Sequence, residues 1–382
     1  MVPKKIETLI VKYFTNQIND EETKKLNDWL IDKNNKIIFQ EYVALNFSIE
    51  QLKHRKNHSK SLVWNAIEHN IKDKRKRHAY WKYAVAATIT ILITIPLFVK
   101  NKSESSQQPI IVNNAIKEGT DKATLTLEDG SNITLEKGQN YVTNSAKSNG
   151  TKIIYNDAKS NITEITYNSL TVPRGGQYNV ELSDGTQVWL NSESKLKYPV
   201  NFIDGETRHV ELVYGEAYFE VSPSTYHNGD NFMVLNNFQE IEVLGTKFNI
   251  RAYSDEDNII TTLVEGKVKV STDINSKILK PNEQSVIHSK TKTILVAEAN
   301  IKQEIAWVNG DFVFNKLPLK TIMKTIERWY DVNVVFENES LENERFIGEL
   351  SKYQSLEEIL KLIKQTTIIN NYEIKDKTVI IN

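Results

Sequence analysis

Hydrophobic residues in the first part of the chain recur at helical spacing. One stripe follows the pattern i, i+3, i+4, i+7, i+8 and consists of Ile6, Leu9, Ile10, Tyr13 and Phe14. Asn19 and Glu22 form a capping-type start before a second stripe, and two further stripes lie within 37–52 and 62–67. Four short helical patterns, with no strand pattern between them, predict a small all-α head over residues 1–80.

A charge-free apolar run follows the head. It extends from Tyr83 to Val99, near the lower limit of about 17 residues for a membrane-spanning helix. The basic residues that closely precede it are Lys72, Lys74, Arg75, Lys76, Arg77 and Lys82. Few basic residues follow it, and positive charge stays on the cytoplasmic side. We therefore expect one transmembrane helix over 81–100, with a cytoplasmic N-terminus and a periplasmic C-terminus; the alternative is a buried core helix.

Alternation replaces helical spacing beyond a polar linker at 101–118. From 119 to 300, short alternating runs are separated by turn residues, which predicts a mostly β periplasmic domain. Two turns, Asp129-Gly130 and Asp184-Gly185, each stand between two alternating runs and predict hairpins of the same design. Residues 308–382 follow the order β-α-β-β-α-β-β, typical of a compact α+β domain. The predicted fold class is thus multidomain, with these four structured parts in this order.

Charge is unevenly distributed although the chain has 48 basic and 49 acidic residues. Residues 1–82 carry a net charge of +7 and the remainder carries −8. A basic head would also fit a membrane-bound DNA-binding regulator. However, six of the basic residues lie within 72–82, where anionic lipid accounts for them, and no helix-turn-helix with a glycine-containing turn is visible. We therefore expect no direct contact with nucleic acid.

Candidate catalytic and metal-binding residues are sparse. The chain has no cysteine, which excludes disulfides, thiol nucleophiles and cysteine-bound zinc. His54 and His58 have the spacing of a helical metal pair, but no third ligand is near, and a solvated surface explains them. Carboxylates abound in the β-rich region, yet the sequence does not show which two of them would lie close enough to form a catalytic pair. We expect no enzyme, cofactor or metal, and an envelope enzyme or glycan-binding protein is the alternative class.

The β-rich region carries an ordered set of motifs. They read Thr171-Val-Pro-Arg-Gly-Gly-Gln-Tyr178, Leu182-Ser-Asp-Gly-Thr-Gln-Val-Trp-Leu-Asn191 and Val210-Glu-Leu-Val-Tyr-Gly-Glu-Ala-Tyr-Phe-Glu-Val221. This set resembles the FecR family of transmembrane anti-sigma factors, in its Bacteroidetes form. The motif positions are Pro173, Arg174, Gly175, Gly176, Asp184, Gly185, Trp189, Gly215 and Glu216. The tail from Trp307 resembles the C-terminal domain of this family, which is similar to the secretin and TonB short N-terminal fold.

The resemblance implies a function in signalling. In such proteins a TonB-dependent outer-membrane transducer contacts the periplasmic part, and the cytoplasmic head regulates an extracytoplasmic-function sigma factor. Intramembrane and periplasmic proteases would be further partners, and the location would be the inner membrane. Together with the apolar stripes of the head, the resemblance makes Leu26, Trp29, Leu30 and Trp64 candidate sigma contacts. The alternative is that the two tryptophans only fill the core of the head.

Gly245 and Thr246 lie inside an apolar strand pattern from Ile241 to Phe248. The resemblance implies one reaction here, because some FecR-like regulators cut themselves at a matching Gly-Thr bond. The Thr246 hydroxyl would attack the Gly245 carbonyl carbon, and the peptide C–N bond would break as the acyl group shifts from the Thr246 nitrogen to its oxygen. Water would then open the resulting ester. The alternative is that Gly245 marks a bulge or a close backbone approach and that Thr246 is an ordinary strand residue.

Overall fold

The computed structural model describes residues 3–14, 18–30, 32, 35, 38–39, 42, 111–112, 116–143, 145–156, 165–366 and 368–382. Over these residues the chain is mostly β. Met1–Ala44 and Ile110–Asn382 belong to one compact unit, which is the unit described below.

The predicted fold class is wrong, because the described part of the chain is mostly β and contains neither a separate all-α head nor a transmembrane helix. The run Tyr83–Val99 and most of the two later helical patterns lie outside the described residues. Within the described part of the chain, no helix is long and apolar enough to span a membrane.

Two helices form the described N-terminal region, α1 (Lys4–Phe14) and α2 (Asp20–Leu30). The predicted cap of α2 is confirmed: the Glu22 amide donates to the Asn19 side chain at 2.9 Å, and the Asn19 amide donates to the Glu22 carboxylate at 3.3 Å. Their buried core consists of Ile10, Leu26, Leu30 and Phe39. So small a core explains why these helices do not form a domain of their own.

Alternating hydrophobic residues build a long two-layered β structure, here called the β part (116–298). Its strands follow a first short strand, β1 (Ile111–Val112), and are β2 (Thr120–Thr126), β3 (Asn132–Glu136), β4 (Tyr141–Val142), β5 (Ala146–Ser148), β6 (Lys152–Tyr155), β7 (Tyr167–Val172), β8 (Gly176–Glu181), β9 (Gln187–Leu190), β10 (Ser194–Pro199), β11 (Arg208–Glu220), β12 (Phe232–Asn236), β13 (Gln239–Val243), β14 (Lys247–Ala252), β15 (Asn258–Glu265), β16 (Val268–Ser271), β17 (Ser276–Leu279), β18 (Glu283–His288) and β19 (Ile294–Glu298).

The strand pairs form two sheets that share β11 and are also connected by a short parallel pairing of β2 with β8. The first runs β3-β2-β7-β10-β11-β12-β13-β16-β17. The second runs β4-β5-β6-β8-β9-β11-β14-β15-β18-β19. Strand β11 changes sheets at Gly215, where φ is 99° and a Cβ would lie 2.3 Å from the Ser194 hydroxyl oxygen. The turn or bulge expected there is thus present, since strands commonly change sheets at such bends.

Both Asp-Gly hairpins form as predicted, but their surroundings differ. In each turn the aspartate accepts a hydrogen bond at 2.9 Å from the amide two residues later, and the glycine has a φ of 82°. Asp129 is on the surface, whereas Asp184 is buried and forms a 2.7 Å ion pair with buried Arg208. An ion pair taken out of water needs further hydrogen bonds, and Arg208 also donates to the carbonyl oxygens of Ser222 and Asp230.

The C-terminal part (311–382) has the element order predicted for it. After α3 (Ile301–Glu304) and a 3₁₀ turn (Ala306–Asn309), it consists of β20 (Asp311–Pro318), α4 (Leu319–Tyr330), β21 (Asn333–Phe336), β22 (Arg345–Ser351), α5 (Leu356–Gln365), β23 (Tyr372–Lys375) and β24 (Thr378–Ile381), with a 3₁₀ turn at Glu339–Asn343. The sheet β1-β23-β24-β21 and the pair β20–β22 hold it together. Strand β1 comes from the segment expected to be a linker and pairs with β23.

Candidate functional site at the junction of the β part and the C-terminal part

The turn between β7 and β8 contacts the end of helix α4, and this contact is here called the junction. Arg174 Nη2 donates to the carbonyl oxygens of Val332 and of Glu327, the latter at 2.9 Å. The last carbonyl groups of a helix lack partners within the helix and carry partial negative charge. The Glu327 carbonyl oxygen already accepts from the amides of Asp331 and Val332, so the Arg174 guanidinium adds a charged donor to the end of α4 from outside the C-terminal part.

Two glycines allow the backbone of the β part to approach α4 closely. The Gly175 amide donates to the Arg328 carbonyl oxygen at 2.7 Å, with a Gly175 φ of 67° that disfavours other residues. A Cβ on Gly119 would lie 2.6 Å from the Trp329 ring. The remaining motif residues of the turn support it, since the Gly176 amide donates to the Pro173 carbonyl oxygen at 3.1 Å.

Arg328 of α4 enters a cluster of acidic side chains from the β part. Its guanidinium forms ion pairs with Glu193 at 3.2 Å, with Glu256 at 2.8 Å and with Asp255. It also lies 3.6 Å from the centre of the Tyr253 ring. Only 4% of Arg328 is exposed, so the charge is balanced almost entirely by the β part.

Arg251 strengthens this cluster from inside the β part. It binds Glu256 through two hydrogen bonds of 2.7 Å. Burial alone would raise the pKa of Glu256, but Arg251 and Arg328 outweigh burial and hold that pKa below its usual range. Behind them, the buried motif residue Glu216 accepts hydrogen bonds from Asn191 and Asn249 at 2.8 and 2.9 Å.

A second buried cation, Lys352, lies between aromatic rings at the same junction. Its Nζ is 3.7 Å from the centre of the Trp329 ring and donates to Gln177 Oε1 at 2.7 Å and to the Trp307 carbonyl oxygen at 3.3 Å. These groups favour the charged form, whereas burial disfavours it. Burial dominates and lowers the pKa of Lys352 to about 7. Gln177 belongs to β8, so this lysine also connects the two parts.

The other predicted motif residues serve the β part itself. Asp184 and Gly185 form the β8–β9 turn beside Arg208. Trp189 of β9 packs against Tyr218, with ring centres 5.6 Å apart. The motif therefore divides between the junction and the interior of the β part.

The four head candidates have different environments. Leu26 and Leu30 are buried in the small core of α1 and α2, and Trp29 is partly buried against it. Trp64 lies outside the described residues. Of the described candidates, Trp29 therefore has the side chain most accessible to a partner.

Gly245 and Thr246 connect β13 to β14 instead of lying within one strand. The φ of Gly245 is 147°, and a Cβ there would lie 2.9 Å from Pro223 Cα. The buried Thr246 hydroxyl donates to the Lys267 carbonyl oxygen at 3.0 Å; no basic side chain accepts its proton within the described residues. These features fit a close backbone approach. Self-cleavage stays a prediction, and a full-length mass for the purified protein would contradict it.

The described residues contain no group of three or more His, Asp or Glu side chains that could hold a metal ion. A cleft of about 490 Å³ opens beside the junction at Gly175 and Tyr330 and has both acidic and basic residues on its walls. Chemically, the arrangement can hold two parts of a chain in one geometry.

Sequence reasoning missed Arg328, Lys352, Tyr253, Asp255 and Glu256. Arg328 is adjacent to the apolar stripe of α4, which gave no sign that its charge is buried. Its acidic partners lie 72, 73 and 135 residues earlier in the chain. No local signal in the sequence marked Lys352 either, because its two tryptophans lie 23 and 45 residues earlier in the chain.

Two protein-family models match the chain. The model for the FecR protein matches residues 168–269, and the model for the FecR C-terminal domain matches residues 311–381. Each contains one side of the junction, with Arg174 and Glu256 in the first and Arg328 and Lys352 in the second. The chain belongs to the FecR family.

A solved structure agrees with this assignment. A candidate anti-sigma factor from Parabacteroides distasonis ATCC 8503, with crystal structures at 1.65 and 2.50 Å resolution, is 29% identical to this FecR-family chain. The match covers 56% of this chain and 98% of that protein, with a TM-score of 0.51. No curated protein matches this chain.

Substituting Arg328 should uncouple the two parts. In Arg328→Met, three carboxylates each lose one ion pair. Glu256 keeps Arg251 and Asp255 keeps Lys324, and two of the three carboxylates are partly exposed, so we expect a loss of about 2 kcal/mol in unfolding free energy. Urea unfolding of the full-length protein should then show separate transitions for the two parts. Arg345→Met is the matched control, because Arg345 is exposed on the same part. A single transition at the wild-type midpoint would contradict the role of Arg328.

The low pKa of Lys352 should appear as a pH dependence of stability. Lysine in an unfolded chain titrates near ~10.4, whereas the pKa of folded Lys352 is about 7. Between these values the unfolded state binds more protons, so the unfolding free energy should rise as pH increases above about 7. In Lys352→Met this rise should be smaller than in the wild type, measured by urea unfolding from pH 7 to pH 9.5.

The control for this measurement is Lys277→Met, which removes an exposed lysine on β17. It should keep the wild-type slope. Equal slopes for wild type and Lys352→Met would show that Lys352 is protonated in the folded protein throughout this range.

Proposed function

We propose that this FecR-family chain regulates a sigma factor. The observation that supports this most strongly is the similarity, over 98% of its length, to the P. distasonis protein described as a candidate anti-sigma factor. The site geometry is compatible with a signalling protein, because it joins two parts of the chain through buried charges and offers no metal cluster among the described residues.

The finer proposal concerns the partners. The regulated factor is an extracytoplasmic-function sigma factor that contacts the N-terminal head. The input comes from a TonB-dependent outer-membrane transducer, which contacts the β part or the C-terminal part. Since Arg174, Arg328 and Lys352 join these parts, a transducer bound to either one would affect both. Proteases in the membrane and the periplasm would then act on this chain after the transducer has bound.

The location proposed is the inner membrane, with the head in the cytoplasm and residues from 119 onward in the periplasm. The support is the distribution of charge around the apolar run Tyr83–Val99. In the structure the hydroxyl of partly buried Tyr13 donates to the Gln365 carbonyl oxygen at 3.3 Å. A membrane between the two regions would separate these residues, so the proposal requires that this long surface hydrogen bond be absent in the cell.

Two other classes make different predictions. An envelope glycan-binding protein or enzyme would act through the β part and would not need the head. A membrane-bound DNA-binding regulator would bind DNA through residues 1–82, with an affinity that falls steeply with salt.

The decisive experiment purifies full-length tagged protein from its own cells and identifies what co-purifies. We expect a sigma factor, and Trp29→Ala should reduce its recovery and change transcription of its target genes by several-fold. Trp29 is chosen because it is only partly buried in the head. Asp28→Ala, an exposed neighbour, is the control. Wild-type recovery and transcription in Trp29→Ala, at equal protein levels, would count against the head as the sigma contact.

The location has its own test. Alkaline phosphatase, which is active only in the periplasm, should be active when fused after Asn382 and inactive when fused after Asn70. Activity only in the Asn70 fusion would reverse the proposed orientation. Activity in neither fusion, with both proteins present, would place the whole chain in the cytoplasm.

A further inference from the structure

Strand β19 ends the second sheet and is paired on one side only. Its partner is β18, and among the described residues no strand pairs with its other edge. Strand β17, which ends the first sheet, is adjacent to β19 and pairs only with β16 within the same described ranges. Both sheets therefore end on the same side of the β part.

The open edge at β19 is apolar. Leu295 is 64% exposed and Val296 is 41% exposed, and Ile278 on adjacent β17 is 55% exposed. Exposed edge strands are usually protected by charges, proline or bulges. At the opposite end of the β part, the most exposed side chains of β3 are polar, namely Asn132, Thr134 and Glu136. Strand β19 has one charged residue, Glu298 at its end, and its centre lacks this protection, which suggests that the edge is covered by another strand.

The direction of the backbone groups on β19 follows from two hydrogen bonds. The Ser289 amide donates to the Asp257 carbonyl oxygen at 2.8 Å, and the Ala299 amide donates to the Asn282 carbonyl oxygen at 2.8 Å. Because backbone groups alternate in direction along an antiparallel strand, the backbone amides and carbonyls of Leu295 and Ala297 point toward β18. The amides and carbonyls of Ile294, Val296 and Glu298 face outward and can bond a further strand.

A second copy of β19 fits this edge in one register particularly well. With the two-fold axis at Leu295, the two Leu295 side chains face each other as a non-hydrogen-bonded pair, and Val296 lies opposite Ile294 of the second copy. Lys292 then lies level with Glu298 of the second copy, and this charge pair occurs twice. The shift that would place Val296 on the axis puts Ile294 opposite Glu298 instead, which is less favourable.

Lys292 can take part in this contact although it has another partner. It already forms a 2.7 Å ion pair with Asp273, but its ammonium group has three donors. Its φ of 53° takes its backbone out of the strand, so its side chain would make the contact. Glu298 has no ion pair within the described part of the chain.

We propose that β19 pairs antiparallel with β19 of a second copy of this chain, with the two-fold axis at Leu295. The charge complementarity of Lys292 and Glu298 favours a second copy over another partner. A single strand pair is a small interface, so the dimer is reversible.

The absence of cysteine makes a sharp test available. Leu295→Cys in the full-length protein introduces the only thiol of the chain. Residues in a non-hydrogen-bonded pair have Cα atoms about 4.5 Å apart, within the range of a disulfide. Mild oxidation should therefore yield a disulfide-linked dimer. Tyr226→Cys, 78% exposed on a 3₁₀ turn, is the control and should remain monomeric. A crosslink from Leu295→Cys to a different polypeptide, or none at all, would overturn the proposal.

Two further variants separate the dimer from the fold. Val296→Pro removes an outward amide without breaking the β18 ladder, so it should abolish the dimer in analytical ultracentrifugation while the melting temperature changes little. Glu298→Lys should weaken the dimer several-fold, and Lys292→Glu added to Glu298→Lys should restore it. If the single and double variants dimerise like the wild type, the proposed register is wrong. Wild-type protein that stays monomeric at all concentrations would also overturn it.

Discussion

The guanidinium of Arg328 is the interaction on which the joint arrangement of the β part and the C-terminal part depends. A buried positive charge is tolerated only if it is paired, and the partners of Arg328 are three carboxylates and an aromatic ring supplied by the β part. Arg174 makes the converse contact, because it belongs to the β part and donates to the Glu327 carbonyl oxygen near the end of helix α4. Each part therefore satisfies polar groups of the other, and separation would expose unpaired charges on both surfaces.

The motif that relates this chain to the FecR family has geometric functions. Gly175 brings one backbone within 2.7 Å of another, and Gly215 allows β11 to change sheets. Asp184 is the buried counterion of Arg208. Together these contacts explain how a motif rich in glycine and charge can hold the β part and the C-terminal part in one geometry.

Much of the secondary structure followed from local pattern. The alternation of β2 and β3, the Asp-Gly turns and the cap at Asn19 were predicted, because each depends on residues only a few positions apart. The element order of the C-terminal part was predicted for the same reason. The separate all-α head was not found, since its helical stripes indicated helices without indicating how large a core those helices could bury.

The sequence by itself determined where strands, turns and helices form, because periodicity and turn chemistry act over a few residues. Tertiary structure alone decided which charges are buried. Asp129 and Asp184 occupy equivalent turns, yet only Asp184 meets an arginine. The buried Lys352 Nζ donates a hydrogen bond to Gln177, which lies 175 residues earlier in the chain. Burial depends on contacts at such separations, and these contacts leave no periodic trace in the local sequence.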